Sequence, residues 1–192
     1  MAVWGTQKII AFAASTGGVD ALNQIIPRLP ATTPPVVIVV HMSAGFTKIY
    51  AARLGAKCAA SVKEAASGDV LTQGQVLIAP AGKHMRLVNY QGRMTVDCFE
   101  GEKVNAVIPS ADVLFDSIAD AHGKNAIGIV LTGIGADGAA GLLKMRNKGA
   151  ATIGQDRVTS AVYGMPKMAK EMGAVEHELP LDKVADKILS LI

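Results

Sequence analysis

Ser15, His41 and Asp137 are residue types that could together carry out acyl transfer. A hydroxyl is a weak nucleophile until a neighbouring imidazole takes its proton, and the imidazole needs a carboxylate to fix its tautomer and stabilise its cation. Each follows a short aliphatic run: Ser15 comes after Ile9 to Ala14, His41 after Val36 to Val40, and Asp137 in the glycine-rich turn after Ala126 to Leu131. If those runs are neighbouring strands, the three side chains meet at one rim of a sheet, although they lie far apart in the chain. Thr16, Gly17 and Gly18 are small enough to let a substrate carbonyl approach the backbone, and a helix starting there offers unpaired N–H groups to an oxyanion. Plainer readings compete. Ser15 and Asp137 are also good helix caps, and His41, after five aliphatics, also fits a satisfied core histidine. The order Ser, His, Asp matches none of the familiar hydrolase orders, and Ala13-Ala14-Ser15-Thr16-Gly17 is not GxSxG. On residue chemistry alone both readings stay open.

A rival pattern overlaps the third position. Gly133-Ile134-Gly135-Ala136-Asp137-Gly138 matches GxGxxG between a strand and a helix, and Asp156 follows at about the distance of a ribose-binding carboxylate. In that reading Gly133, Gly135, Gly138 and Asp156 hold a dinucleotide. Against it, Asp137 would repel the pyrophosphate, and the fingerprint ordinarily occupies the first strand-to-helix turn of the fold.

The elements that must position these residues follow from composition and periodicity. Of 192 residues 50% are hydrophobic and 18% charged, which excludes a disordered chain; with 4% aromatics and 20 glycines, the core must be aliphatic. Short solid apolar runs alternate with 3.6-period stretches, the pattern of βαβ units around a covered sheet. The expected fold is α/β: a doubly wound, mainly parallel sheet with helices on both faces and a small antiparallel hairpin extension, in a single domain over residues 1–192. Helical spacing runs through Ala21, Leu22, Ile25 and Ile26, through Phe46 to Leu54, from Ser110 toward Ala121, and over Ala139 to Asn147; Met165-Pro166 and Leu181-Asp182 open two more helices. Gln75 to Ala79 reads as a strand, and Met85 to Val88 with Met94 to Phe99 flank a turn at Asn89-Tyr90-Gln91-Gly92.

Other classes find little support. The longest aliphatic run is too short to span a bilayer, so no membrane insertion is expected, and residues 1–7 lack the pattern of a secretory signal. Two cysteines, Cys58 and Cys98, form neither a CxxC nor a ligand cluster, so a reduced, cytoplasmic protein without metal or cofactor is expected. The net charge of +3 and the dispersed Lys and Arg argue against a nucleic-acid partner. Of the remaining histidines, His84 sits in the hairpin region near the mouth of the rim, His122 at a helix C-terminus and His177 at the surface. The methionines read as core filler.

Several segments together resemble one family. Ala14-Ser15-Thr16-Gly17-Gly18, His41-Met42 and Leu131-Thr132-Gly133-Ile134-Gly135-Ala136-Asp137-Gly138-Ala139 are similar to the catalytic domain of the chemotaxis-receptor protein-glutamate methylesterases, the CheB type. Ile78-Ala79-Pro80 with His84-Met85, Pro109-Ser110-Ala111-Asp112-Val113-Leu114-Phe115 and Tyr163-Gly164-Met165-Pro166 extend the resemblance from about Lys8 to Ile192. It implies a serine hydrolase that demethylates glutamate methyl esters, and deamidates glutamines, on the cytoplasmic helices of a chemoreceptor. Ser15 would be the nucleophile, His41 the base and then acid, and Asp137 the orienting carboxylate; Thr16, Gly17, Ile134 and Met165 would line the oxyanion and substrate site. Ile134 stands where the family usually has methionine, Ser43 where it has proline after His-Met, and Ala106-Val107-Ile108 where it tends to carry arginines. The family's receiver domain does not fit before Lys8, so it is expected to be a separate partner or absent. A catalytically weakened chemoreceptor-binding homologue is the remaining alternative.

Overall fold

The computed structural model describes residues 8–192; residues 1–7, read above as lacking a secretory signal, lie outside the described residues. The predicted strands appear as β1 (Ile9–Ala14), β2 (Val36–Val40), β4 (Gln75–Ile78) and β7 (Ala126–Val130), joined by β3 (Ser61–Glu64), β8 (Ala151–Gln155) and β9 (His177–Leu179). These seven strands form one parallel sheet in the order β3-β4-β2-β1-β7-β8-β9. The sequence reading missed β3, an edge strand whose residues Ser-Val-Lys-Glu carry too little apolar signal to stand out.

Solid apolar strands are buried on both faces because helices cover both. Ile10, Phe12 and Ala14 of β1, with Val36, Ile38 and Val40 of β2, face α1 (Gly18–Ile25), α2 (Phe46–Gly55) and α6 (Leu181–Leu191). Ile9, Ala11 and Ala13, with Val37 and Val39, face α3 (Ala111–His122), α4 (Ala139–Asn147) and α5 (Met165–Glu171). The period-2 alternation therefore fixes which layer each side chain enters.

The hairpin, β5 (His84–Tyr90) and β6 (Arg93–Phe99), stands apart as a two-stranded antiparallel sheet. Its tight turn puts Gln91 and Gly92 at φ 51° and 76°, the double positive φ that a type I′ turn demands. Met85, Leu87, Met94 and Val96 are buried in the α3–α4–α5 layer of the core. The hairpin so becomes an outer layer over α3 instead of lengthening the main sheet.

Candidate active site

β1 is the sheet's centre, and the strand order runs one way from β1 to β2 and the other way from β7 to β9. Ligands bind outside the carboxyl ends of strands at such a switch point. Ser15 directly follows β1, His41 directly follows β2, and Asp137 lies in the turn between β7 and α4. Backbone bonds lock the three ends together: His41 N–H donates to Ala14 O (3.1 Å), Leu131 N–H to Ala13 O (2.9 Å) and Ser15 N–H to Thr132 O (3.0 Å). Since Ala14 pairs with Val40, Ser15 and His41 are the next residues side by side. The alternation aims both toward the α3–α4–α5 face, the side from which Asp137 approaches.

The His41 Nε2 lies 2.9 Å from Asp137 Oδ2. Asp137 is 2% exposed, and a carboxylate that deep must be met by donors. Ala111 N–H donates to Oδ2 (2.6 Å), while the Ser110 hydroxyl (2.5 Å), the Asn105 amide (2.9 Å) and Asp112 N–H (3.4 Å) donate to Oδ1. Ala111 and Asp112 open α3, so the carboxylate also sits on the positive end of that helix. Burial pushes the Asp137 carboxyl up, but the hydrogen bonds from His41, Ser110, Ala111 and Asn105 outweigh it and hold the group below the ordinary carboxylate range. The support continues outward. Buried His84 accepts the Ser110 N–H at Nδ1 (3.1 Å) and donates from Nε2 to Glu102 O (2.8 Å), which fixes its tautomer. His84 is thus a brace behind Ser110 and not a group at the mouth of the site.

This network makes a testable statement about stability. A group held ionised in the native state stabilises the fold at pH values above its unfolded pKa, and the benefit is lost as pH falls through its native pKa. Ser110→Ala removes a charge-assisted bond and raises the native Asp137 pKa toward the unfolded one. The variant should lose about 1–3 kcal/mol at neutral pH in denaturant titrations, with the deficit shrinking as acid protonates Asp137. A deficit that stays constant down to acid pH would assign the hydroxyl another role.

Ser15 is half-buried, and its hydroxyl forms no hydrogen bond to His41 among the described residues. The fold supplies adjacency, and such contacts commonly tighten only when substrate is bound. With Nε2 committed to Asp137, Nδ1 is the His41 nitrogen left for the hydroxyl. Around Ser15 the backbone turns sharply and leaves several N–H groups without an acceptor among the described residues. Gly18 N–H donates to Ser15 O (2.7 Å), and Gly17, at φ 78° and ψ −5°, is the third residue of a type II turn, which requires positive φ there. The N–H groups of Thr16, Gly17, Ile134 and Gly135 have no acceptor among the described residues. Gly133 permits the close approach: a Cβ there would lie 2.7 Å from Ser15 Cβ and 2.3 Å from Met165 Sδ. Ile134 is exposed at the rim, whereas Met165 is fully buried. Met165, expected to line the substrate site, packs its sulfur against Gly133, the residue that also abuts Ser15.

Beside His41 a cleft of about 420 Å³ runs along Met42, Lys103, Ala106 and Ile108. Ala106 in its wall (φ 64°) and the preceding Asn105 (54°) are consecutive positive-φ residues. Such strain persists only where other bonds enforce it, and here the Asn105 amide bridges Asp137 and Asp112 Oδ2 (2.6 Å). Sequence reading did not find Asn105, His84 as a brace or Ser110 as a donor. A polar residue just before the α3 start was a visible signal only for Ser110.

The dinucleotide alternative gathers no site. Gly133 is packed between Ser15 and Met165, Gly138 against Ala13 and Ala111, and the Asp156 carboxylate accepts from Thr159 N–H (2.9 Å) and its hydroxyl (2.6 Å). Among the described residues no group of three or more His, Cys, Asp or Glu is placed to hold a metal ion, and no helix is long and apolar enough to cross a membrane.

Comparison with known proteins agrees with this geometry. A family model described as CheB methylesterase matches residues 10–188. A protein-glutamate methylesterase/protein-glutamine glutaminase of Syntrophomonas wolfei is 52% identical over 184 residues, 96% of this chain and 54% of that protein. A relative of the same description in Syntrophotalea carbinolica is 49% identical over 187 residues, 97% of this chain and 53% of its own length. The chain thus spans about half the length of the curated relatives it matches. The crystal structure of the Thermotoga maritima CheB methylesterase catalytic domain superposes with a TM-score of 0.95 at 37% identity, covering 97% of this chain and 100% of that one.

Proposed function

The chain belongs to the CheB methylesterase family, and from that premise we propose that it hydrolyses glutamate methyl esters on the cytoplasmic helices of a chemoreceptor through Ser15, His41 and Asp137. The observation that carries the reading is the buried Asp137–His41 contact beside Ser15 at the sheet's switch point. The Ser15 hydroxyl attacks the ester carbonyl carbon while His41 Nδ1 takes its proton. Negative charge gathers on the carbonyl oxygen, where the N–H groups of Thr16, Gly17 and Ile134 receive it. The carbon–oxygen bond to the methoxy group breaks, His41 returns the proton, and methanol leaves a glutamyl ester on Ser15. Water then attacks that ester, again losing a proton to His41, and Ser15 departs with the proton restored. With a glutamine side chain the same steps release ammonia. Asp137 stays ionised throughout and stabilises the imidazolium.

The substrate, on this reading, is a methylated receptor cytoplasmic domain, so the reaction belongs in the cytoplasm. The test is methanol release from a receptor cytoplasmic fragment whose glutamates carry isotopically labelled methyl groups. Release above the uncatalysed rate is expected with no added metal or cofactor; a receptor that keeps all its label would overturn the proposal.

A further inference from the structure

Thr132 takes no part in the steps just described, yet each of its polar atoms is engaged, and it is 1% exposed. Its carbonyl accepts the Ser15 N–H, and its own N–H donates to Gln155 Oε1 (2.8 Å). Its hydroxyl accepts the Val162 N–H (2.9 Å) and has one proton to give. Two carbonyls lie in reach, Thr16 O at 2.9 Å and Val162 O at 3.2 Å. Thr16 O is the nearer and has no other donor among the described residues, whereas Val162 O already receives the Gly133 N–H (3.0 Å), so Thr16 O is the favoured acceptor.

That bond fixes the direction of a peptide. In a trans peptide the C=O and N–H point opposite ways. With the Thr16 carbonyl drawn inward to buried Thr132, the Gly17 N–H is turned outward, away from the core. The same hydroxyl holds the segment from Val162 to Met165, whose Met165 N–H donates to Gly133 O (2.8 Å), one residue before the unpaired Ile134 N–H. A single side-chain oxygen therefore joins the Ser15 turn to the scaffold of the Gly133–Ile134 loop. Valine would fill the same space without either bond.

We infer that the Thr132 hydroxyl is a positioning group for the oxyanion site: it locks the Thr16–Gly17 peptide and the Val162 segment in the arrangement that lets N–H donors on both sides of Ser15 face one oxygen. The inference rests on the acyl-transfer role proposed for Ser15. A shift of about 1 Å in such donors costs on the order of 10²-fold in rate, and the loss falls on kcat because the charge exists only in the transition state.

The test compares Thr132→Val and Thr132→Ser on labelled methylated receptor and on p-nitrophenyl acetate, counting only activity lost in Ser15→Ala. Thr132→Val should lose about 10²-fold in kcat with KM within about threefold, and Thr132→Ser should keep at least about a third of the wild-type kcat. Amide NMR provides a readout that survives low activity: the Gly17 and Ile134 signals should move in Thr132→Val while that of Ile38 stays. If the valine variant does not fold, Thr132→Ala is read by the same two measurements. A valine variant within about threefold of wild type, a loss confined to KM, or a serine variant as impaired as valine would overturn the inference. A Thr132-dependent rate on p-nitrophenyl acetate with no methanol from the receptor would overturn the proposed substrate and leave this inference standing. Wild-type inactivity on both esters would overturn both.

Discussion

Ser15→Ala should abolish methanol release, by at least about 10⁴-fold in kcat, while the protein unfolds within about 0.5 kcal/mol of wild type. The chemical loss is large because, among the described residues, no other hydroxyl or thiol stands beside His41 at the end of β1. The structural loss is small because the Ser15 hydroxyl has no hydrogen-bond partner among the described residues, so alanine orphans nothing, and the backbone bonds of residue 15 to Thr132 and Gly18 are unchanged. The measurement pairs labelled methanol release with denaturant unfolding. Activity within tenfold of wild type would remove Ser15 from the reaction, and a folded variant is what makes that outcome decisive.

Asp137→Asn should cost about 10³–10⁴-fold in kcat for a different reason. Every group around the carboxylate is a donor: the His41 Nε2–H, the N–H groups of Ala111 and Asp112, the Ser110 hydroxyl and the Asn105 amide. An asparagine must point its NH₂ at one of these sets. Pointed at His41, it is satisfied only if Nε2 accepts, which moves the ring proton to Nδ1, and an Nδ1 that carries a proton cannot take one from Ser15. Pointed at Ser110, Asn105 and the Asp112 N–H, it faces three donors in a buried site and destabilises the start of α3 by about 1–3 kcal/mol. Ring-nitrogen NMR of His41 would read the tautomer directly. A variant with wild-type turnover would show that the carboxylate neither orients nor stabilises the imidazole.

The elements that place the two strand-end residues were legible because they rest on local patterns. β1 and β2 are solid aliphatic runs, α4 has its glycine before it, and Met165-Pro166 and Leu181-Asp182 mark true helix starts. Ser15, His41 and Asp137 could be singled out from their residue types, and the family resemblance tied them together. The groups that hold them could not be read that way. Asn105, Ser110 and His84 meet Asp137 or each other across the hairpin and the α3 start, and Thr132 reaches back to Thr16 across most of the chain. A hydrogen bond between distant segments leaves no periodicity behind. That the Met165 sulfur packs against Gly133 is likewise visible only in the folded chain.

The central pairing of β1 with β7 sets Ile9 beside Ala126. A ribosome therefore releases the nucleophile and the imidazole long before it has made the strand that completes their neighbourhood, and the acid follows later still. Closing so long a loop is slow relative to helix formation, because its entropy must be lost before any contact repays it. The cluster is complete only once the segment from β7 to Asp137 has joined β1 and β2.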